Sequence, residues 1–233
     1  HIVAIVINPF KEYRVERICS RPILSPGETG LFDDSGISMG CLLHKDGKRY
    51  LYYLGWNLRI TVPWQNSIGL AISEAFDSDG FPLFEKYSPA PVLDRSREDP
   101  FSLSYPFVIE DNKTYKMWYG SNLKWGKSKE EIHYVIKYAE SIDAITYKRE
   151  GKIAIHTIYP NEYAIARPCV IKENGIYKMW YSYRGRGHIQ TFRIGYAESP
   201  DGVNWMRKDD EVGIDVSETG WDSEMICYPY VFD

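Results

Sequence analysis

The sequence predicts an all-β chain, a β-propeller of five blades with incomplete first and last blades, and three observations carry that prediction. Tyr115-Lys116-Met117-Trp118-Tyr119 returns 62 residues later as Tyr177-Lys178-Met179-Trp180-Tyr181. Ser104-Tyr105-Pro106-Phe107-Val108, Ala166-Arg167-Pro168-Cys169-Val170 and Cys227-Tyr228-Pro229-Tyr230-Val231 form a second series, with prolines 62 and then 61 residues apart. Short apolar runs rich in Val, Ile, Tyr and Trp, bounded by Gly, Asp, Asn and Pro, read as strands rather than helices. Four antiparallel strands in roughly 40 to 50 residues make a propeller blade, and ~62 is that unit with long loops.

The elements follow in order. Residues 1–30 supply the outer strands of a partial blade, in the runs Ile2 to Ile7 and Tyr13 to Cys19. Complete blades span 31–95, 96–158 and 159–218, and 219–233 begins a further one, so that 1–233 is a single domain. Inner strands should begin near Ser38, Ser104, Ala166 and Ile226. Lys45-Asp46-Gly47-Lys48, Glu110-Asp111-Asn112-Lys113 and Glu173-Asn174-Gly175 are hairpin turns, because Asn, Asp and Gly tolerate the positive φ that tight hairpins need. Tyr138-Ala139-Glu140-Ser141 and Tyr196-Ala197-Glu198-Ser199 are matching third strands. Ser199-Pro200-Asp201-Gly202 turns the latter into a fourth strand carrying Trp205. Unfinished blades leave strand edges that invite pairing with another chain.

Composition narrows the function. With 233 residues, 44% of them hydrophobic, the chain can bury a sizeable core. A net charge of −4 with no basic stripe argues against a nucleic-acid partner. The run Ile2 to Ile7 is too short for a membrane span or a signal-peptide core. Cys19, Cys41, Cys169 and Cys227 are isolated, which suggests reduced core thiols and a cytoplasmic location. No metal or cofactor is expected, since His44, His133 and His156 share no ligand spacing and no Gly-rich phosphate loop opens a helix.

Acids recur ahead of each inner strand: Asp33 and Asp34, Asp99, Glu162, then Asp222 and Glu224. In a propeller these positions converge at one mouth of the channel. Asp34, Asp99, Glu162 and Glu224 are therefore the catalytic candidates, since two carboxylates are the acid and base that break a glycosidic bond. Ordinary polar turns would explain the same residues. Converging carboxylates should raise at least one pKa. Asp33 and the residues before each proline, Tyr105, Arg167 and Tyr228, are substrate-binding candidates. The long loops Gly55 to Asn66, Gly120 to His133 and Ser182 to Thr191 should rim the mouth with Trp56, Trp64, Arg59, Lys124, Trp125, Arg184, Arg186 and His188. Gly185 and Gly187 would let the last loop close on a ligand. Aromatic faces stack on sugars and Arg forks grip anions, so the expected ligand is an oligosaccharide or sugar-containing small molecule, with an anionic sugar the sharper expectation. Solvation explains the charge run Lys127 to Glu131 equally well.

At these residues the chain resembles the five-bladed propeller glycosidases, which include glycoside hydrolase families 32, 43, 62, 68, 117 and 130. Asp34 or Asp33, Asp99 and Glu162 reproduce the Asp, Asp, Glu order of families 32 and 43, which implies base or nucleophile, transition-state stabiliser and acid. Arg97-Glu98-Asp99-Pro100 is similar to a stretched Arg-Asp-Pro motif of family 32, and Ser199 to Trp205 resembles a strand connection of family 43. A closer likeness, carried by Phe32 to Gly36, Asn161 to Pro168 and Gly220 to Met225, is to glycosidase-like propellers encoded among bacterial surface-polysaccharide genes. There an additional blade comes first, which makes Glu224 an equal candidate for the acid. The resemblance implies a glycosidase, or a non-catalytic glycan-binding or scaffold propeller.

Overall fold

The computed structural model describes residues 1–128 and 131–232. Lys129 and Glu130 of the charge run lie outside the described residues. The chain is all-β, and among the described residues there is no α-helix, hence none long and apolar enough to cross a membrane. Two compact units, His1–Val92 and Leu93–Asp233, divide it.

In the first unit β1 (Ile5–Asn8) and β2 (Arg14–Ile18) form an antiparallel pair. A four-stranded meander follows, β3 (Gly36–Lys45), β4 (Lys48–Leu58), β5 (Trp64–Phe76) and β6 (Pro82–Lys86), paired in sequence order. Its core gathers Ile37, Leu51, Tyr53 and Ala71 with Ile2 and Leu24.

The second unit holds two meanders. The first is β7 (Leu103–Asp111), β8 (Thr114–Lys124), β9 (His133–Ser141) and β10 (Lys148–Ile155). The second is β11 (Ala164–Glu173), β12 (Ile176–Arg184), β13 (Arg193–Ser199) and β14 (Met206–Arg207). A parallel bridge from Ala164 to Tyr134 joins β11 to β9. Trp118 packs with Tyr138, Tyr177 and Trp205 and donates its indole N–H to Gly202 O at 2.9 Å, tying the two meanders together.

Local chemistry explains the turns. Asp46 and Gly47 have φ of 50° and 75°, Asn112 and Lys113 50° and 63°, and Asn174 and Gly175 50° and 81°; consecutive positive φ values match the right-handed strand twist in two-residue hairpins. Ser141 and Asp143 close the turn after β9 as Ser199 and Asp201 close the one after β13, each aspartate accepting from backbone N–H groups two and three residues ahead. Among the described residues the four cysteines form no disulfide.

Three expectations need correction. The segment from Ile226 is not a strand, because its polar backbone contacts go to the Ser182 hydroxyl, the Cys169 thiol and Phe192 O instead of a ladder. The long loops are shorter than expected, since the second strands run on to Leu58, Lys124 and Arg184. Trp56 is therefore on β4 and Trp64 on β5.

Candidate functional site

Each meander holds an acid in a clasp. Asp33 has no exposed side-chain surface, and its Oδ2 accepts from Tyr53 at 3.0 Å and from Lys86 of β6 at 2.6 Å. Asp99, equally buried, accepts from Ser121 at 2.7 Å and Lys137 at 2.9 Å on one oxygen, and from Tyr119 and Arg149 at 3.0 Å on the other. Glu162 is bound by both Nη atoms of Arg207 at 2.7 and 2.8 Å, and Arg207 also holds Asp209, which accepts from Tyr181 at 2.5 Å. In every case the tyrosine comes from the second strand and a cation from the fourth. The rings need room across the ladder: a Cβ at Gly69 would overlap Tyr53, and one at Gly195 would overlap Tyr181 and Asp209. At the matching place opposite Tyr119 stands Lys137, whose ammonium reaches Asp99 instead.

These clasps place Asp33, Asp99 and Glu162 in ion pairs with lysine or arginine. A general acid needs a proton near neutral pH and a path to substrate, whereas these carboxylates are buried and neutralised by lysine or arginine. Burial pushes the Asp99 carboxyl up, but Ser121, Lys137 and Tyr119 outweigh it and hold it below its ordinary value. The backbone N–H of Gly30, then Asn57 and Ser35, likewise lower Asp34. For these two acids the shift runs opposite to the expected rise. The side chain of Glu224 is exposed while its backbone carbonyl accepts from Thr191 and Arg193.

The residues before the prolines are brought together. Tyr105 on β7, Arg167 on β11 and Tyr228 have φ of 37°, 56° and 62°, left-handed values that side chains bearing a Cβ adopt at a cost. At Tyr105 and Arg167 the ladder skips the residue and its proline, a bulge that frees the side chain from strand alternation. The Arg167 guanidinium lies 4.6 Å from the Tyr105 ring and 5.3 Å from the Tyr228 ring, themselves 5.7 Å apart. Burial pushes the Tyr228 hydroxyl up to about 12.

The predicted rim divides. Arg184 joins this cluster, donating to Tyr134 Oη at 3.2 Å with its guanidinium over Phe192. Arg186 does not, because it is stacked 3.4 Å from the Tyr159 ring centre and lies 3.5 Å from Asp209. His188 is exposed, as are Arg59 and Lys124, and Trp125 is half-buried. Both glycines of this loop are hydrogen-bonded: Gly185 donates to Ile189 O, Gly187 donates to Pro160 O, and Gly185 packs with φ of 86° against Tyr163. Tyr134, Phe192, Lys86, Lys137, Arg149 and Arg207 were not anticipated from sequence. The repeated final tyrosine, Tyr53, Tyr119 and Tyr181, was the available signal for the clasps. Among the described residues no cluster of His, Cys, Asp and Glu is arranged to hold a metal.

No family model matches the chain. It is 49% identical over 216 residues to the uncharacterized protein MT1551 of Mycobacterium tuberculosis strain CDC 1551 / Oshkosh, a match covering 93% of this chain and 69% of that protein. It is 48% identical to the uncharacterized protein Rv1502 of strain H37Rv over the same length. Its fold is similar to that of a glycoside hydrolase at TM-score 0.73 and 17% identity, over 92% of this chain and 66% of that one. Sucrose-6-phosphate hydrolase from Lactobacillus gasseri is similar at TM-score 0.55 and 17% identity, over 72% of this chain and 33% of that one. The chain thus spans just under two thirds of the first of these structures. At such identities the likeness is one of fold, and that fold is glycoside hydrolase-like. By sequence, the chain belongs to the family of the two mycobacterial proteins.

Proposed function

We propose that this member of the MT1551 family is a carbohydrate-active protein that binds an oligosaccharide or sugar-containing small molecule on the face made by Tyr105, Arg167 and Tyr228. The observation that carries the reading is the gathering of these three side chains, from three chain segments, at strained backbone positions. Aromatic faces stack on sugar rings, and arginine supplies directional donors to their oxygens. The glycoside hydrolase-like fold supports it. The architecture that accompanies this reading is a single five-bladed propeller with each meander a blade.

The test is a binding and hydrolysis screen of the full-length protein against oligosaccharides and sugar phosphates. Binding of at least one sugar class, weakened roughly tenfold or more by Tyr105→Ala or Tyr228→Ala, is the expected result. Absence of binding, or binding indifferent to both substitutions, overturns it.

Hydrolysis is the second reading, favoured by the fold. Among the described residues Asp34 and Glu224 are candidate acids without an ion-pair partner. If Glu162 is catalytic, Glu162→Gln abolishes turnover while binding stays within about tenfold. If it is only a clasp residue, the same change lowers stability and leaves the turnover of folded protein intact.

A further inference from the structure

Arg184 differs from four other arginines of its unit. Arg149, Arg186, Arg193 and Arg207 each have a carboxylate within 4 Å. Among the described residues Arg184 forms no ion pair, and its Nε is buried with no hydrogen-bond partner. A buried guanidinium donor left unmatched is rare in folded proteins, because water has been removed and nothing has replaced it.

Its surroundings hold it in place without neutralising it. One Nη donates to Tyr134 Oη at 3.2 Å, and the guanidinium lies 4.5 Å from the Phe192 ring centre and 5.2 Å from that of Tyr163. Phe192 is 5.9 Å from Tyr228, whose ring with that of Tyr105 flanks Arg167. Contacts thus run from Tyr134 through Arg184, Phe192, Tyr228 and Arg167 to Tyr105, an open circuit of two guanidinium groups and intervening rings. Stacking occupies guanidinium faces, while in-plane N–H groups are the donors that fit a planar or tetrahedral oxyanion.

We infer that the circuit of Arg184 and Arg167 with Tyr134, Phe192, Tyr228 and Tyr105 is an oxyanion subsite that takes the phosphate or carboxylate substituent of a bound sugar. The inference rests on the sugar-binding reading and names the class of sugar. Arg184 presents the unmatched Nε–H to the anion, Arg167 adds a second positive charge, and the rings exclude water and face the sugar.

Calorimetric titration of the full-length protein with glucose 6-phosphate, glucuronate, glucose and inorganic phosphate tests it, alongside the oligosaccharide screen. One of the two charged sugars should bind roughly tenfold or more tighter than glucose, and the stronger of them identifies the oxyanion. Arg184→Gln should erase that advantage and leave glucose binding within about twofold, while Arg186→Gln, already engaged with Asp209, should preserve it. If Arg184→Gln does not fold, Tyr134→Phe removes the hydroxyl that orients Arg184 and should cut the advantage by roughly threefold or more. Equal binding of charged and neutral sugars, or an advantage indifferent to these substitutions, overturns the inference. Neutral-glycan binding that needs Tyr105 but shows no charge preference would retain the sugar-binding reading alone. Arg184-dependent binding of inorganic phosphate without any sugar binding would retain the oxyanion site and remove the sugar.

Discussion

Strands β8 and β12 carry the same five residues, Tyr-Lys-Met-Trp-Tyr, yet place them in different surroundings. Trp118 is fully buried and hydrogen-bonded to Gly202 O, because the next meander covers it. Trp180 is half-buried and packs 5.0 Å from Tyr196 of its own meander. Tyr119 donates to Asp99, which precedes its meander, whereas Tyr181 donates to Asp209, which follows the fourth strand. The charge balance also differs. One carboxylate meets two cations at Asp99, whereas at the second site two carboxylates, Glu162 and Asp209, share Arg207, and Asp209 also meets Arg186. Identical residues thus fix the strand and its pairing, while neighbouring segments decide what each side chain does. A repeated motif with different charge stoichiometry at its two sites shows that each buried carboxylate is matched by whatever cations its neighbouring segments supply.

The sharpest way to break the comparison is to remove the central cation of the second clasp. Arg207→Met leaves Glu162 without a cation and Asp209 with Arg186 alone, and should lower stability by about 3 to 5 kcal/mol at neutral pH. Because like charges raise a carboxyl pKa, part of that loss should return on mild acidification. Urea unfolding across pH reads both effects. A variant as stable as the parent would mean that the carboxylates are solvated and that no clasp exists.

The two tryptophans give the next contrast. Trp118→Ala should cost about 3 to 5 kcal/mol, the usual range for deleting a buried aromatic core residue. Trp180→Ala, with part of its surface still in water, should cost roughly half as much. Equal losses in chemical denaturation would show that the environments are alike despite the different burial.

The smallest effect is a pH slope. The Asp99 carboxyl lies below its unfolded value, so its contribution is present above about pH 3.9, the unfolded pKa, and is lost as pH falls through the folded pKa. Asp99→Asn should therefore flatten the acid limb of the stability curve and, with Lys137 and Arg149 left unpaired, show no rescue on acidification. An unchanged acid limb would assign that slope to other carboxylates.

Much of the strand pattern was readable, because two-residue turns such as Asp46-Gly47 and Asn174-Gly175 announce themselves through residues that tolerate positive φ. The Tyr105, Arg167 and Tyr228 set was readable too, each lying one place before a proline. The clasps were not. Asp33, Asp99 and Glu162 precede their inner strands as substrate-facing acids would, and the sequence does not show that Lys86, Arg149 and Arg207 return from the fourth strands to meet them. Nor does it distinguish Arg184 from Arg186, two residues apart, since the difference lies in Asp209 folding back over one and not the other. Long-range charge pairing is set by tertiary placement, which local periodicity does not encode.

The left-handed residue ahead of each proline separates display from support. Proline contributes no amide hydrogen to the ladder, and at Pro106 and Pro168 the bulge leaves the preceding residue outside the pairing register, so that residue's side chain is not needed to hold the strand. Tyrosine and arginine occupy the same backbone niche in adjoining meanders. Such a position is open to evolutionary exchange: a lineage could trade one side chain for another there and retarget recognition one substitution at a time, while the clasps and the buried tryptophan keep the scaffold unchanged.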